Sequence, residues 1–170
     1  PIATYAVSIV VGEVGHMTVN KDGPLCNCGK QGCWEVYGSS AALLHRVERQ
    51  KGISVDELSL EWCDQAIREG DAEVRAVVFD EYAKDLGVGI VNLVNIFNPN
   101  MIIIHGGVAT FGDELLGQIV SYVQTHALPT PAERVKLKFS SLRESAHLIG
   151  SAALCVRELF EHPEFLFERI

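Results

Sequence analysis

No apolar run in this 170-residue chain approaches the ~20 residues that a membrane-spanning helix needs. Positive charge is also scarce. Lys and Arg number 14 against 22 Asp and Glu, for a formal net charge of −8, whereas phosphate-gripping surfaces are built from clustered Lys and Arg. Direct contact with nucleic acid is therefore not expected of this stretch, nor is contact with a membrane. No charged segment followed by an apolar core opens the chain, so no export signal is read and a cytoplasmic setting is expected. Repeats, low-complexity tracts and internal linkers are missing, and no Walker lysine follows a glycine turn. What remains is a globular composition, 48% hydrophobic and 21% charged, enough for one ordinary domain or one lobe of a larger protein. The chain opens at Pro1 without a methionine, as a piece of something longer would.

Cysteine is few in number but concentrated. His16, Cys26, Cys28 and Cys33 fall together in GHMTVNKDGPLCNCGKQGC. Thiolate sulfur and imidazole nitrogen are the ligands zinc prefers, and four of them close a tetrahedron without room for water, which defines a structural site. Gly23, Gly29 and Gly32, with Pro24, stand where a short loop must turn sharply to aim its sulfurs at one point. Two other readings stay open: reduced, buried cysteines beside an unrelated histidine, and a disulfide, which needs an oxidising compartment. Core packing fits a polar, glycine-rich stretch poorly. Cys63 and Cys155 are isolated and expected to be packed, and His45, His126, His147 and His162 carry no ligand spacing.

Hydrophobic patterning predicts an α/β layer fold. Residues 2–11 are apolar and β-branched, as in a buried strand. Ser39 or Ser40 caps a helix carrying Leu43, Leu44 and Val47, and Ser54 with Glu57 reads as a capping box for a short helix holding Trp62, Ala66 and Ile67. Asp71 caps the longest pattern, a helix over about 72–97, in which Val74, Val77, Val78, Tyr82, Leu86, Ile90, Leu93 and Phe97 share a face until Asn98-Pro99 stops it. Gly87 and Gly89 weaken that helix, so they are expected to permit close packing or ligand approach. Met101 to Ile104 reads as a strand buried on both faces, followed by His105-Gly106-Gly107 and a helix near 113–124. Val135, Leu137 and Phe139 alternate with lysines in a strand exposed on one side, and a last helix covers about 145–160.

The segments GEVGHMTV, GPLCNCGKQGCWEVYGS, GVGIVNLVNIFNPNMIIIHGGV and SLRESAHLIGSAAL resemble the ROK family, which joins bacterial sugar kinases, an animal amino-sugar kinase domain and sugar-responsive repressors. The resemblance covers nearly everything after Val11, and its most specific part is the cysteine loop with the flanking GEVGH and GCWE. It implies a ribonuclease-H-like, actin-type ATPase or sugar kinase fold of two lobes with a sugar in the cleft. Residues 1–170 would be the single C-terminal lobe, with a zinc-binding loop at 16–33, and the N-terminal lobe and any DNA-binding domain would lie outside it. Carried over, His16, Cys26, Cys28 and Cys33 match the zinc ligands, and Glu13, His16 and Glu35 match side chains that bind sugar hydroxyls. Gly106 and Gly107 match the place where the kinases admit a nucleotide.

Some features depart from the kinase pattern. His105 stands where a third glycine is common, residues 5–11 lack the glycines that usually precede GEVGH, and the catalytic aspartate of the kinases lies upstream of everything present here. No catalytic residue is therefore expected in this chain. Two readings follow from the resemblance. The first is the sugar-binding, zinc-containing half of a sugar-responsive regulator of the xylose-repressor type, favoured by GCWEVYGS, the HGGV turn and the LFEHPEF extension. The alternative is the C-terminal half of a glucokinase-like hexose kinase, which alone would require ATP and Mg2+. Either would be an oligomer, dimer or tetramer, since the family commonly is.

Overall fold

The computed structural model describes residues 12–142 and 146–161, so the strand expected over 2–11 lies outside them. Glu35–Gly38 forms a single turn, α1. Ser39 then accepts a hydrogen bond from the Ala42 N–H and opens α2, Ser40–Lys51, which ends at Gly52 in the left-handed conformation. The next cap differs from expectation. Ser54 leaves its side chain out of the cap, Val55–Glu57 makes only a 3-10 turn, and the Glu48 carboxylate of α2 takes the Val55 N–H at 3.1 Å. It is Ser59, accepting from the Trp62 N–H, that caps α3, Leu60–Arg68. A tertiary acceptor has displaced the local capping box.

Asp71 accepts from the Glu73 and Val74 N–H groups and opens α4, Ala72–Ala76. A π-helical segment, Val77–Tyr82, and α5, Ala83–Phe97, continue it with helical backbone at both joints. Val74, Val78, Tyr82, Leu86, Ile90 and Val94 are buried, a repeat of four. In a pure α-helix each four-residue step overshoots the 3.6-residue turn by ~40°, so such a stripe winds off its face. The wider π turn takes up part of that drift. Phe97, expected on the stripe, is 63% exposed, and Val94 fills its place. Asn98, at φ 44°, ends α5 one residue before Pro99.

The remainder runs β1 (Met101–Ile104), α6 (Gly112–His126), α7 (Pro129–Arg134), β2 (Lys136–Phe139) and α8 (Ala146–Glu161). The two strands pair in parallel, Met101 opposite Lys136 and Ile104 opposite Phe139. Ile102, Ile104, Leu137 and Phe139 pack on the core, whereas Met101 and Ile103 face outward. The strand expected to be buried on both faces is thus covered on one only among the described residues, because the core lies on a single side of the pair. Across that core α6 buries Leu115, Ile119 and Val123. Gly87 lets α6 approach α5, since a Cβ there would stand 2.4 Å from the Tyr122 ring. Pro129 sits in the first turn of α7, where its missing N–H costs nothing. Among the described residues no helix is long and apolar enough to cross a membrane.

Candidate metal centre

The cysteine loop is held by backbone bonds rather than by a core. Thr18 bridges Cys33 and Leu25 bridges Gln31, both antiparallel. The Gly32 carbonyl accepts from the Val19 N–H at 2.8 Å, and the Gly32 N–H donates to the Pro24 carbonyl at 2.9 Å. Within the turn, the Cys26 N–H donates to the Lys30 carbonyl and the Gly29 N–H to the Cys26 carbonyl. Gly29 and Gly32 have φ of 86° and 68°, values that glycine adopts without strain.

This folding gathers His16, Cys26, Cys28 and Cys33 so that their ligand atoms lie within 4.8 Å of one another. Cys28 Sγ is 3.5 Å from Cys33 Sγ, and Cys26 Sγ is 3.7 Å from His16 Nδ1. Sulfur and nitrogen bonded to one tetrahedral zinc at ~2.0–2.3 Å stand ~3.3–3.8 Å apart. The donor set and its spacing therefore fit zinc. Cys26 and Cys33 are buried and Cys28 is exposed. Burial, ahead of its sulfur neighbours, pushes the Cys33 thiol up to about 11, whereas a hydrogen bond from the Lys30 backbone lowers Cys28. A bound cation inverts that logic by removing the thiol proton outright.

Two carboxylates converge on the same imidazole. Glu35, first residue of α1, brings Oε2 to 3.1 Å from His16 Nδ1, and Glu13 brings Oε2 to 4.0 Å from Nε2. The sequence-based candidates Glu13, His16 and Glu35 thus share one exposed edge of the loop. Sequence reasoning missed two neighbours. Lys30 donates from Nζ to the His16 carbonyl at 3.0 Å, and Trp34 donates from Nε1 to the Asp85 carbonyl at 2.7 Å. The position of a tryptophan between a ligand and an acid was the available signal for the second.

Gly106 and Gly107 lie elsewhere, after β1, where they line a cleft of ≈ 1010 Å³ with Thr110, Phe139 and Ser140. Gly106 has φ 109° and open space where a Cβ would be, whereas a Cβ on Gly107 would meet Leu60 at 2.5 Å. Gly106 therefore leaves its backbone open to the cleft, and Gly107 serves packing. His45 pairs with Glu48 at 3.0 Å, and His126 stacks on Tyr122 with ring centroids 3.9 Å apart, so neither joins the cysteine cluster. Cys63 is buried as expected, but Cys155 is exposed on α8.

A strand, glycine turn and helix joined to a loop with one histidine and three cysteines mark a sugar kinase type of lobe, and the profile of the ROK family matches residues 7–158. The chain belongs to the ROK family. It is 32% identical over 164 residues to a xylose repressor of Caldicellulosiruptor bescii, covering 91% of this chain and 41% of that one. It is 34% identical over 162 residues to a glucokinase of Halalkalibacterium halodurans, covering 88% of this chain and 49% of that one. The chain thus spans less than half the length of either relative. Among solved structures, a ROK family glucokinase from Streptomyces griseus in complex with glucose and AMPPNP superposes with a TM-score of 0.75 at 30% identity, over 85% of this chain and 51% of that one. This likeness accords with the expected actin-type sugar kinase fold.

Proposed function

We propose that the chain is the sugar-binding, C-terminal lobe of a ROK sugar-responsive transcriptional regulator, with a structural zinc ion in the loop 16–33. The observation that carries this reading is the position of His16, whose Nδ1 faces Cys26 while Glu13 and Glu35 approach the ring at 4.0 and 3.1 Å. His16, Cys26, Cys28 and Cys33 would hold the zinc, which supplies rigidity to a loop with little core of its own. Glu13 and Glu35 accept hydrogen bonds from vicinal hydroxyls, and the second imidazole nitrogen of His16 addresses a third. Sugar then biases the arrangement of the lobes, which requires a difference in affinity between the two states. DNA contact belongs to another part of the protein, in keeping with the acidic balance of this one.

The kinase reading has its own support in the cleft beside Gly106 and in the kinases among the relatives. In that case ATP with Mg2+ is used and the base that activates the sugar hydroxyl comes from outside this chain. One experiment separates the readings in the intact protein. Sugar-dependent release from an operator fragment, with no ATP-dependent phosphorylation of D-glucose, is expected. Measurable phosphoryl transfer to the sugar decides for the kinase.

A further inference from the structure

We propose that Trp34 is the positioning residue of the sugar site, holding Glu35 in place by keying the cysteine loop into the long helix. The proposal rests on the sugar-binding reading above. Trp34 stands between Cys33 and Glu35 in the chain, so what fixes its backbone fixes both neighbours. Its N–H donates to the Met17 carbonyl at 2.8 Å, directly after His16, and ties the two halves of the site together. Its indole Nε1 donates to the Asp85 carbonyl inside α5 at 2.7 Å.

The ring is received by two glycines. A Cβ on Gly38 would lie 2.8 Å from Nε1, and one on Gly89 would lie 1.9 Å from Cε2. Neither position tolerates a side chain while the indole is there, and a helical glycine costs about 1 kcal/mol relative to alanine. A mere space-filler needs no hydrogen bond and no such slot. The receiving surface is itself braced. Tyr82, at the end of the π segment, donates to the Gly38 carbonyl at 2.9 Å, and Asp85 pairs with Arg46 of α2. Glu35 is thereby referenced to the long helix through one side chain, not through the loop alone.

The test is calorimetric titration of D-xylose and D-glucose into the intact, zinc-loaded protein. Trp34→Phe keeps an aromatic ring and loses the N–H···O bond, so affinity for whichever sugar binds falls about 10-fold with zinc stoichiometry unchanged. Gly89→Ala, which displaces the indole without touching the loop, reproduces that loss. Because Trp34 acts through Glu35, the double variant Trp34→Phe/Glu35→Gln binds no more weakly than Glu35→Gln alone. Additive losses, loss of zinc from Trp34→Phe, or full affinity in both Trp34→Phe and Gly89→Ala overturn the proposal and leave the sugar site standing. Unchanged affinity in Glu35→Gln by itself removes the sugar-site reading, and the proposal falls with it.

Discussion

A methyl group on Gly32 would sit 1.5 Å from the Asn20 carbonyl oxygen, and Gly32 also has φ 68°. Both sterics and backbone conformation therefore forbid a side chain next to Cys33. Gly32→Ala is expected to abolish zinc binding, read by elemental analysis of the purified protein. Gly29→Ala, with positive φ but open space around it, keeps its zinc. Equal zinc content in the two variants would contradict this account.

Cys28→Ser removes one sulfur of a four-donor set, and the remaining three no longer close the tetrahedron. Zinc content is expected to fall from one equivalent to near none, and sugar affinity to fall with it. Metal loss with full sugar affinity would show that the ion and the sugar site are independent.

Glu35→Gln keeps the shape of the side chain and removes its charge. Sugar affinity is expected to drop by about 10-fold or more while zinc stays in place, since losing a charged acceptor is worth about 1.5–3 kcal/mol. Zinc analysis beside calorimetry checks both halves, and loss of the ion would mark Glu35 as part of the loop's framework.

Tyr82 is 1% exposed, and its hydroxyl is the donor to the Gly38 carbonyl. Tyr82→Phe strands that carbonyl and is expected to cost about 1–2 kcal/mol in urea unfolding. A variant as stable as the parent would mean that the carbonyl finds another donor.

The Lys51 ammonium, 2.9 Å from Asp71, and the Val74 and Glu73 N–H groups hold the Asp71 carboxyl below its ordinary 3.8. Between the lowered folded value and the ordinary unfolded one, the unfolded chain carries more protons, so stability rises with pH. The contribution is complete above the ordinary aspartate range and is lost as pH falls through the folded value. Asp71→Asn keeps a capping side chain but removes this titration, so the acid-side slope of urea unfolding between pH ~2 and ~5 should flatten. An unchanged slope would assign the acid sensitivity to other carboxyls.

Chemistry-bearing residues were the legible part of this sequence. The ligand set of the cysteine loop follows from residue type and spacing alone, and the caps at Ser39 and Asp71 follow from local hydrogen bonding. Ser54 misled because its competitor, the Glu48 carboxylate, comes from another helix and no local window contains it. Phe97 misled because a period of 3.6 was carried through a segment that is not α-helical. Trp34 is the most instructive omission, since its slot is cut by Gly38 and Gly89, far apart in the chain and joined only by packing.

The π segment between Ala76 and Ala83 amounts to one residue more than an α-helix of the same span would hold. Excising a single residue there would restore a uniform helix and rotate everything beyond it by ~100°. Ile90 and Val94 would then swing off the core, and the Gly89 notch would turn away from the indole. The chain thus tolerates length variation least at a place that binds nothing, because that surplus residue sets the clocking of the whole second half of the helix.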